Sequence, residues 1–358
     1  MQLLTPMRVG RYELRNRIVM SPMARARNGE DRAPTQMVAD YYAQRATAGL
    51  IVTEASSVSR FSVSRPHTSA IYADLHMAGW RRVAETVHAK GGLIFQQLYH
   101  LGRKCDPSRM PEGAKPVAPS PIAATGQVQG LNGPVAFATP RALETDEIPG
   151  IVDEFRRAAM NAHAAGMDGI EIHGANGYLI DEFLRDGTNR RADRYGGSIP
   201  NRARFLIAVA QAVIDVFGAD RVGVRFSPQR GVDGIDDSDP GATFGYAAAA
   251  MHELKLAYVH VLEPREAAVP VRPTIRKAFG GPLIVNSGYA RDTAEAAVAS
   301  GAADMVAFGS LYIANPDLVE RFRLNAALNP PDSTTFHSGS AKGYIDYPML
   351  DQQVAARA

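Results

Sequence analysis

A regular alternation of short apolar runs and longer amphipathic runs constrains the fold of this chain most strongly. The short runs are rich in β-branched residues and mostly end at glycine or proline, as β-strands do. Eight such runs occur, at residues 17–22, 49–55, 91–100, 169–174, 221–228, 258–264, 282–288 and 305–310. Strands that alternate with helices form parallel sheets through right-handed crossovers. Eight repeats in roughly 300 residues therefore predict a closed (β/α)8 TIM barrel of the α/β class.

Helices are predicted between these strands from the spacing of apolar residues. The helical runs are residues 35–48, 77–90, 151–166, 201–218, 241–254 and 291–301. An open dinucleotide-binding sheet is disfavoured, because no G-x-G-x-x-G pattern follows the first strand.

Two long stretches interrupt the alternation, residues 103–146 and residues 175–200. Each follows a predicted strand and precedes its helix, which places both on the face where barrel enzymes carry their active sites. We therefore expect one domain over residues 1–358, with a capping excursion at 103–146 after the third strand.

Charge and cysteine content exclude several classes of function. The chain has 39 basic and 37 acidic residues, a net charge of +2, and no basic cluster that would attract nucleic acid or a membrane surface. Its single cysteine, Cys105, excludes an internal disulfide and a cysteine-rich metal site. No signal peptide and no apolar run of about 18 residues is present. The sequence predicts a cytoplasmic protein with no metal site and no nucleic-acid or membrane partner.

The fourth predicted strand continues into the segment EIHGANGYLIDEFL, residues 171–184. Alternation along a strand puts Ile170 and Ile172 on one face, which we expect to contact the helices. Glu171 then lies inside the barrel and His173 at its upper rim. A carboxylate in that position needs a basic or hydrogen-bond-donating partner.

Three polar residues, His173, Asn176 and Tyr178, follow this strand on the expected active-site face. Taken singly, they are equally typical of a capping histidine, a turn and a packed aromatic ring. Together, two hydrogen-bond donors and a phenol suit the binding of an anionic oxygen with a proton donor beside it.

Several ordered motifs resemble one known family. HGANGYLIDEFL and NRRADRYGGSIPNRARF, residues 173–184 and 189–205, closely resemble the old yellow enzyme family of FMN-dependent ene-reductases. Further similar segments, in chain order, are LLTPMRVGRYELRNRIVMSPM, QQLYHLGR, GVRFSP, IANPDL and GYIDYP. The resemblance extends over nearly the whole chain, and its opening segment implies an N-terminal hairpin at the bottom of the barrel.

The resemblance implies a non-covalently bound FMN. Its ring is expected to contact Pro22, Met23, Ala24 and Ala55, to bond Gln97 along its pyrimidine edge, and to lie near Arg225. A fixed guanidinium would stabilise the negative charge of the reduced ring. The alternative for Arg225 is an ion pair with Glu171 or another acid, and the alternative for Gln97 is a satisfied polar contact inside the barrel. The phosphate is expected at backbone N–H groups of Ser287, Gly288, Gly309 and Ser310.

The resemblance also implies the reaction. NADH or NADPH would reduce the flavin, and hydride would then pass to the β-carbon of an activated alkene such as an enone, a maleimide or a nitroalkene. His173 and Asn176 would hold the activating oxygen, and Tyr178 would protonate the α-carbon. The remaining residues expected to bind the substrate are Tyr72, Tyr99, Phe336 and His337.

Four positions depart from the family pattern. Ala24 stands where a threonine or cysteine is common, which bears on the redox potential of the flavin. Ser310 replaces a common arginine at the phosphate site and so removes a charge-assisted contact. His337 replaces a usual tyrosine, and Tyr99 replaces a frequent tryptophan and should widen the pocket.

Two other functions remain open from the sequence. A barrel of the dienoyl-CoA reductase type would also carry an iron–sulfur cluster, which a single cysteine and a chain ending at Ala358 argue against. A flavin-binding protein without turnover is the second alternative. Cys105, Trp80 and His100 are expected to have structural roles, and residues 190–194 to form a solvated, salt-bridged loop. Both a monomer and a homodimer are compatible with the sequence.

Overall fold

The computed structural model describes residues 1–355 except 112, 131, 132, 230, 232 and 338. The first β-strands are β1 (Met7–Val9), β2 (Tyr12–Leu14), β3 (Ile18–Met20), β4 (Leu50–Val52), β5 (Ser56–Ser57) and β6 (Ile94–Tyr99). The capping excursion contains β7 (Val117–Ala118), β8 (Gln127–Gly130), β9 (Gly133–Ala136) and β10 (Arg141–Ala142). The remaining strands are β11 (Gly169–Gly174), β12 (Val222–Phe226), β13 (Tyr258–Leu262), β14 (Leu283–Asn286) and β15 (Met305–Phe308).

Eight of these strands form a closed parallel barrel in the order β3, β4, β6, β11, β12, β13, β14, β15. The ring closes where β15 pairs with β3, with Ala307 opposite Val19. β6 pairs with β11, so that Gln97 lies opposite Glu171. Each predicted strand contains one barrel strand, and the predicted (β/α)8 fold is confirmed.

Helices connect the strands on the outside of the barrel. They are α1 (Gln36–Ala43), α2 (Asp74–His88), α3 (Ile148–Ala164), α4 (Leu179–Leu184), α5 (Ile199–Phe217), α6 (Pro240–Glu253), α7 (Arg272–Phe279), α8 (Arg291–Ala299), α9 (Ser310–Ala314), α10 (Leu318–Leu324) and α11 (Leu350–Ala355). The six predicted helices are confirmed. α7 and the short helices α4, α9, α10 and α11 were not predicted, because their few turns give too little apolar periodicity to recognise. None of the helices in the described part of the chain is long and apolar enough to cross a membrane.

The hairpin of β1 and β2 covers the amino-terminal end of the barrel. Its residues Val9 and Leu14 pack in one buried cluster with barrel-strand residues such as Val19, Phe95 and Tyr258. The Tyr12 hydroxyl donates to the carbonyl of Asp168 at 2.9 Å, immediately before β11 begins. With one end of the barrel covered in this way, the open face lies at the carboxyl ends of the strands.

Candidate active site

A cleft of about 370 Å3 lies at the carboxyl ends of the barrel strands. It is lined by Ser21, Pro22, Met23, Ala24, Asn176, Arg225, Leu262, Asn286, Gly309, Ser310, Ile313, Phe336 and His337. Nine of these were expected to bind cofactor or substrate; the other four, Ser21, Leu262, Asn286 and Ile313, were not. Ser21 directly follows a strand, and Leu262 and Asn286 are each the last residue of a strand. Their positions at strand ends could have identified these three as site residues.

Arg225 on β12 is held in the cleft by the side chain of Asn286 on β14. Its Nη2 donates to Oδ1 of Asn286 at 3.0 Å, and Nδ2 of Asn286 donates to the carbonyl of Ala307 at 2.7 Å. Because both side chains are buried, this chain of bonds fixes the guanidinium at the cleft wall. Asn286 is therefore a positioning residue that motif reasoning missed.

The expected phosphate positions combine irregular backbone with a helix start. Ser287 has a φ of 103° and Gly288 a φ of 71°, and a Cβ placed on Gly288 would meet nothing within 4 Å. Ser310 begins α9, so the first N–H groups of that helix have no acceptor within the helix. Gly309 and Ser310 line the cleft, whereas Ser287 and Gly288 follow Asn286 at its edge.

Glu171 lies inside the barrel, as predicted, and it has three donors. Gln97 Nε2 lies 2.7 Å from Oε1, while His260 Nδ1 and the Tyr258 hydroxyl lie 2.9 Å and 3.2 Å from Oε2. Burial alone would raise the pKa of Glu171, but His260 and Arg225 outweigh it and lower that pKa below its usual value. Burial lowers the pKa of His260, and its Nδ1–H is the donor to Glu171. One amide proton of Gln97 is thus engaged by the barrel itself.

His173 is a neutral hydrogen-bond donor towards the site. Burial, reinforced by the positive charge of Arg225 on the neighbouring strand, lowers the pKa of His173 well below 6.5. The backbone N–H of Ala175 donates to Nδ1 of His173 at 3.3 Å. Since Nδ1 accepts, the ring proton is on Nε2. Nε2 lies 3.4 Å from Nδ2 of Asn176. Two donors cannot bond each other, so both N–H groups are available to one acceptor oxygen.

The backbone turn at Asn176 is held by groups other than the three expected catalytic residues. Asn176 has a φ of 60°, and its N–H donates to Oγ of Ser227 at 2.8 Å. The next N–H, of Gly177, donates to the buried carboxylate of Asp181 at 2.9 Å. Asp181 is paired with Arg185 at 2.7 Å, and Arg185 donates to the carbonyl of Ser227. The run LIDEFL is thus a buried helix that supports the turn.

Tyr178 lies beside His173 in an aromatic cluster. The ring centroids of Tyr178 and His173 are 4.9 Å apart, and those of Tyr178 and Tyr99 are 5.3 Å apart. Tyr178 and Ala55 both pack against the buried group that contains Tyr99 and Cys105. The structure therefore brings the three expected catalytic residues together next to the cleft, with Tyr99 alongside.

Lys104 is a further charged residue at this cluster, and no motif pointed to it. Its Nζ lies 5.0 Å from the centre of the Tyr178 ring and donates to the carbonyl of Asn176 at 3.3 Å. The ammonium is also paired with Asp233, and its side chain is only 14% exposed. The phenol ring thus has a partly buried cation next to it.

Of three further residues expected to bind the substrate, two line the cleft and one does not. Phe336 and His337 line the cleft, and Nδ1 of His337 bonds the carbonyl of Ala24 at 3.1 Å. Tyr72 does not line the cleft; it lines a separate cavity, where the guanidinium of Arg32 lies 5.9 Å from its ring centre. Tyr72 is therefore the one expected substrate residue that the structure sets apart from the cleft and the aromatic cluster.

The residues expected to be structural are buried. Trp80 is fully buried, and His100 accepts the N–H of Gly102 at 3.1 Å as a local cap. Burial raises the pKa of the Cys105 thiol to about 12, which keeps it protonated and unreactive.

The expectation of a solvated loop at 190–194 is wrong for Arg191. Its largely buried side chain pairs with Asp193 and donates to the carbonyl of Pro119.

The residues present fit FMN by the chemistry of their groups. The isoalloxazine ring needs an apolar slot with a cation at its N1 edge, and Met23, Leu262 and Arg225 offer these in the cleft. A phosphate needs backbone N–H groups, which Gly309 and Ser310 present at the start of α9.

Comparisons with known proteins agree with this architecture. Residues 2–329 match the model of the NADH:flavin oxidoreductase / NADH oxidase family. Two relatives from Oryza sativa subsp. japonica, 12-oxophytodienoate reductase 1 and 12-oxophytodienoate reductase 7, are each 42% identical over 98% of this chain and cover 93% and 95% of their own lengths.

Solved structures are similar over the same extent. Morphinone reductase in complex with tetrahydroNAD superposes with a TM-score of 0.95 at 46% identity, covering 99% of each chain. The old yellow enzyme homologue from Zymomonas mobilis gives a TM-score of 0.95 at 41% identity over 98% of this chain and 100% of that one. The chain therefore belongs to the NADH:flavin oxidoreductase / NADH oxidase family, the family of the old yellow enzymes.

Proposed function

We propose that this chain reduces the carbon–carbon double bond of an enone, a maleimide or a nitroalkene, with its polar oxygen held by His173 and Asn176. Family membership makes the chain an NAD(P)H-dependent oxidoreductase with non-covalent FMN and an ene-reductase function. Beyond this, we propose the range of substrates and the role of each residue.

One observation carries the residue roles: two neutral N–H donors converge beside a phenol at the edge of the cleft. Nε2 of His173 and Nδ2 of Asn176 are 3.4 Å apart, and the Tyr178 ring is 4.9 Å from the His173 ring. Donors that are fixed before reaction stabilise the negative charge that develops on a carbonyl or nitro oxygen. Removing one such donor typically costs about 2.7–4 kcal/mol of transition-state stabilisation.

When bound, the flavin would supply the hydride, and side chains and backbone groups of the protein would supply the polar contacts around it. Arg225, fixed by Asn286, would lie near the N1 edge, and the backbone of Gly309 and Ser310 would hold the phosphate. His173 stays neutral because of its lowered pKa, so it donates a hydrogen bond without delivering a proton. Tyr178 is then the group placed to give a proton to the α-carbon.

Rapid-mixing kinetics of the two half-reactions test these roles. Tyr178→Phe should slow the reoxidation of reduced protein by 2-cyclohexenone by roughly 10²–10⁴-fold, the usual contribution of a positioned acid. Flavin reduction by NADPH should stay close to that of the unmodified protein. Equal slowing of both half-reactions would refute the role of Tyr178. A yellow protein that neither NADH nor NADPH bleaches would instead be a flavin-binding protein without turnover.

We further propose that residues 1–358 form one domain that includes the excursion 103–146. Support comes from Arg103, whose guanidinium donates to carbonyls of Ala123 and Gly234, and from Arg191, which donates to the carbonyl of Pro119. Hydrogen exchange would test this: the excursion and the barrel should lose protection together as denaturant is added. Loss of protection in the excursion alone, well before the barrel, would contradict it.

A further inference from the structure

Two more cavities lie beside the cleft, and both are rich in arginine. The bridging cavity has a volume of about 670 Å3 and a lining that includes Arg27, Arg65, His67, Gln129 and His337. The arginine cavity has a volume of about 600 Å3 and a lining that includes Glu30, Arg32, Arg60, Arg65, Tyr72 and Arg109.

The three spaces share walls and form one path. His337 lines both the cleft and the bridging cavity. Arg65, Pro66 and His67 line both the bridging cavity and the arginine cavity. A molecule with a ring in the cleft can therefore extend over His337 towards the arginines.

The charge along this path is strongly positive. Arg60 and Arg65 are exposed, and neither forms an ion pair within the part of the chain that the structure describes. Arg109 is balanced by Asp106 at 3.2 Å. Among the residues that the structure describes, Glu30 is the one acid in the lining of the two cavities, and it is exposed. A ligand with negative charge would neutralise the positive charge of the cavity walls.

Arg32 adds a buried cation to the arginine cavity. The side chain is 7% exposed, and its guanidinium donates to the carbonyls of Ser62, Thr68 and Ser69. Its Nη1 has no hydrogen-bond partner among the described residues. A buried guanidinium that meets only carbonyl dipoles and the Tyr72 ring has no counter-charge among the described residues, and an oxyanion in the cavity would supply one.

We propose that the bridging and arginine cavities bind an anionic group, phosphate or carboxylate, of a molecule whose reactive ring occupies the cleft. The proposal rests on the proposed function for the position of that ring. Two sources share this chemistry: the phosphates of the nicotinamide dinucleotide, and a carboxylate tail on the alkene substrate. Guanidinium groups bind both oxyanions through paired N–H donors.

The test compares charge removal inside and outside the path. Arg65→Gln and the double variant Arg60→Gln/Arg65→Gln remove exposed charges from the cavities. The matched control is Arg82→Gln, which removes the same charge from the exposed face of α2. The first probe is 2'-phospho-ADP-ribose, measured by titration calorimetry on the flavin-loaded protein at two salt concentrations. The second is an enone with a carboxylate tail, compared with its neutral analogue through the ratio of their KM values.

The phosphate source predicts that Arg65→Gln weakens binding of 2'-phospho-ADP-ribose about threefold to tenfold, more at low salt, while Arg82→Gln does not. The carboxylate source predicts a similar change in the KM ratio of the two enones instead. If the double variant matches Arg82→Gln for both probes, the proposal is overturned. Calorimetry needs no turnover, so a protein that binds the phosphate probe but does not reduce enones would contradict the proposed function only.

Discussion

Lys104 should assist Tyr178 electrostatically, and the size of its effect follows from the structure. When the phenol gives up its proton, the phenolate acquires a negative charge next to the Lys104 ammonium, which lies 5.0 Å from the ring centre. Two unit charges at that distance attract by about 3 kcal/mol at an effective dielectric constant of about 20. The neutral ring already gains roughly 1 kcal/mol from the cation, which leaves a difference of about 2 kcal/mol.

Only part of that difference affects the rate. Roughly half of the charge is present in a proton-transfer transition state, so the expected effect is about 1 kcal/mol, or roughly fivefold. Lys104→Met should therefore slow reoxidation by 2-cyclohexenone about fivefold and leave flavin reduction by NADPH unchanged. Asp233→Asn should be included in the Lys104→Met variant and should also serve alone as the reference, because the charge of Asp233 would otherwise partly cancel that of Lys104.

A double-mutant cycle separates this effect from a structural one. Lys104 also donates to the carbonyl of Asn176, so its removal could disturb the oxygen-binding pair directly. In the Tyr178→Phe background no phenolate forms, and loss of Lys104 should then have no further effect on reoxidation. The same fivefold loss in both backgrounds would refute the electrostatic argument, and Lys104→Arg should retain most of the rate.

Three further predictions concern the cofactor and the barrel. Ser310→Arg should tighten FMN binding about tenfold in a fluorescence titration of the apoprotein, because it adds a charge-assisted phosphate contact; unchanged affinity would place the phosphate elsewhere. Glu171→Leu should lower the free energy of unfolding by about 3–5 kcal/mol in urea, since Gln97, Tyr258 and His260 lose their acceptor, whereas Glu171→Gln should cost clearly less. Burial lowers the pKa of His100 to about 4, so below pH 6.5 the unfolded chain binds a proton that the folded chain does not. Stability should therefore fall as the pH drops from 6.5 to 4, by about 3 kcal/mol from this residue, and His100→Gln should remove that part of the slope.

The barrel was predictable because its signal is repeated. Eight β-branched runs, each followed by a longer amphipathic run, give the strand count and the parallel order without any reference to side-chain contacts. The alternation of side chains along β11 correctly placed Glu171 inside the barrel. The sequence did not identify its partners, because His260 and Tyr258 lie on β13, two strands away around the ring.

The active-site residues that lie in one contiguous motif were predictable from the sequence. The residues that come from distant segments were missed. His173, Asn176 and Tyr178 follow one strand, so their proximity needed only the fold. Asn286 and Lys104 reach the site from β14 and from the loop after β6, and each acts on a residue distant in sequence. Such contacts depend on the path of loops that no periodicity encodes. The position of Tyr72 outside the cleft depended in the same way on the loop after β5.

The central claim is that His173 and Asn176 hold the oxygen of the bound ligand. A crystal structure of the flavin-loaded protein with a bound phenol tests this claim directly. We predict that the phenol oxygen lies within about 3.2 Å of both Nε2 of His173 and Nδ2 of Asn176, near the Tyr178 ring. A phenol whose oxygen bonds neither donor, with its ring stacked in the cleft all the same, would contradict the account.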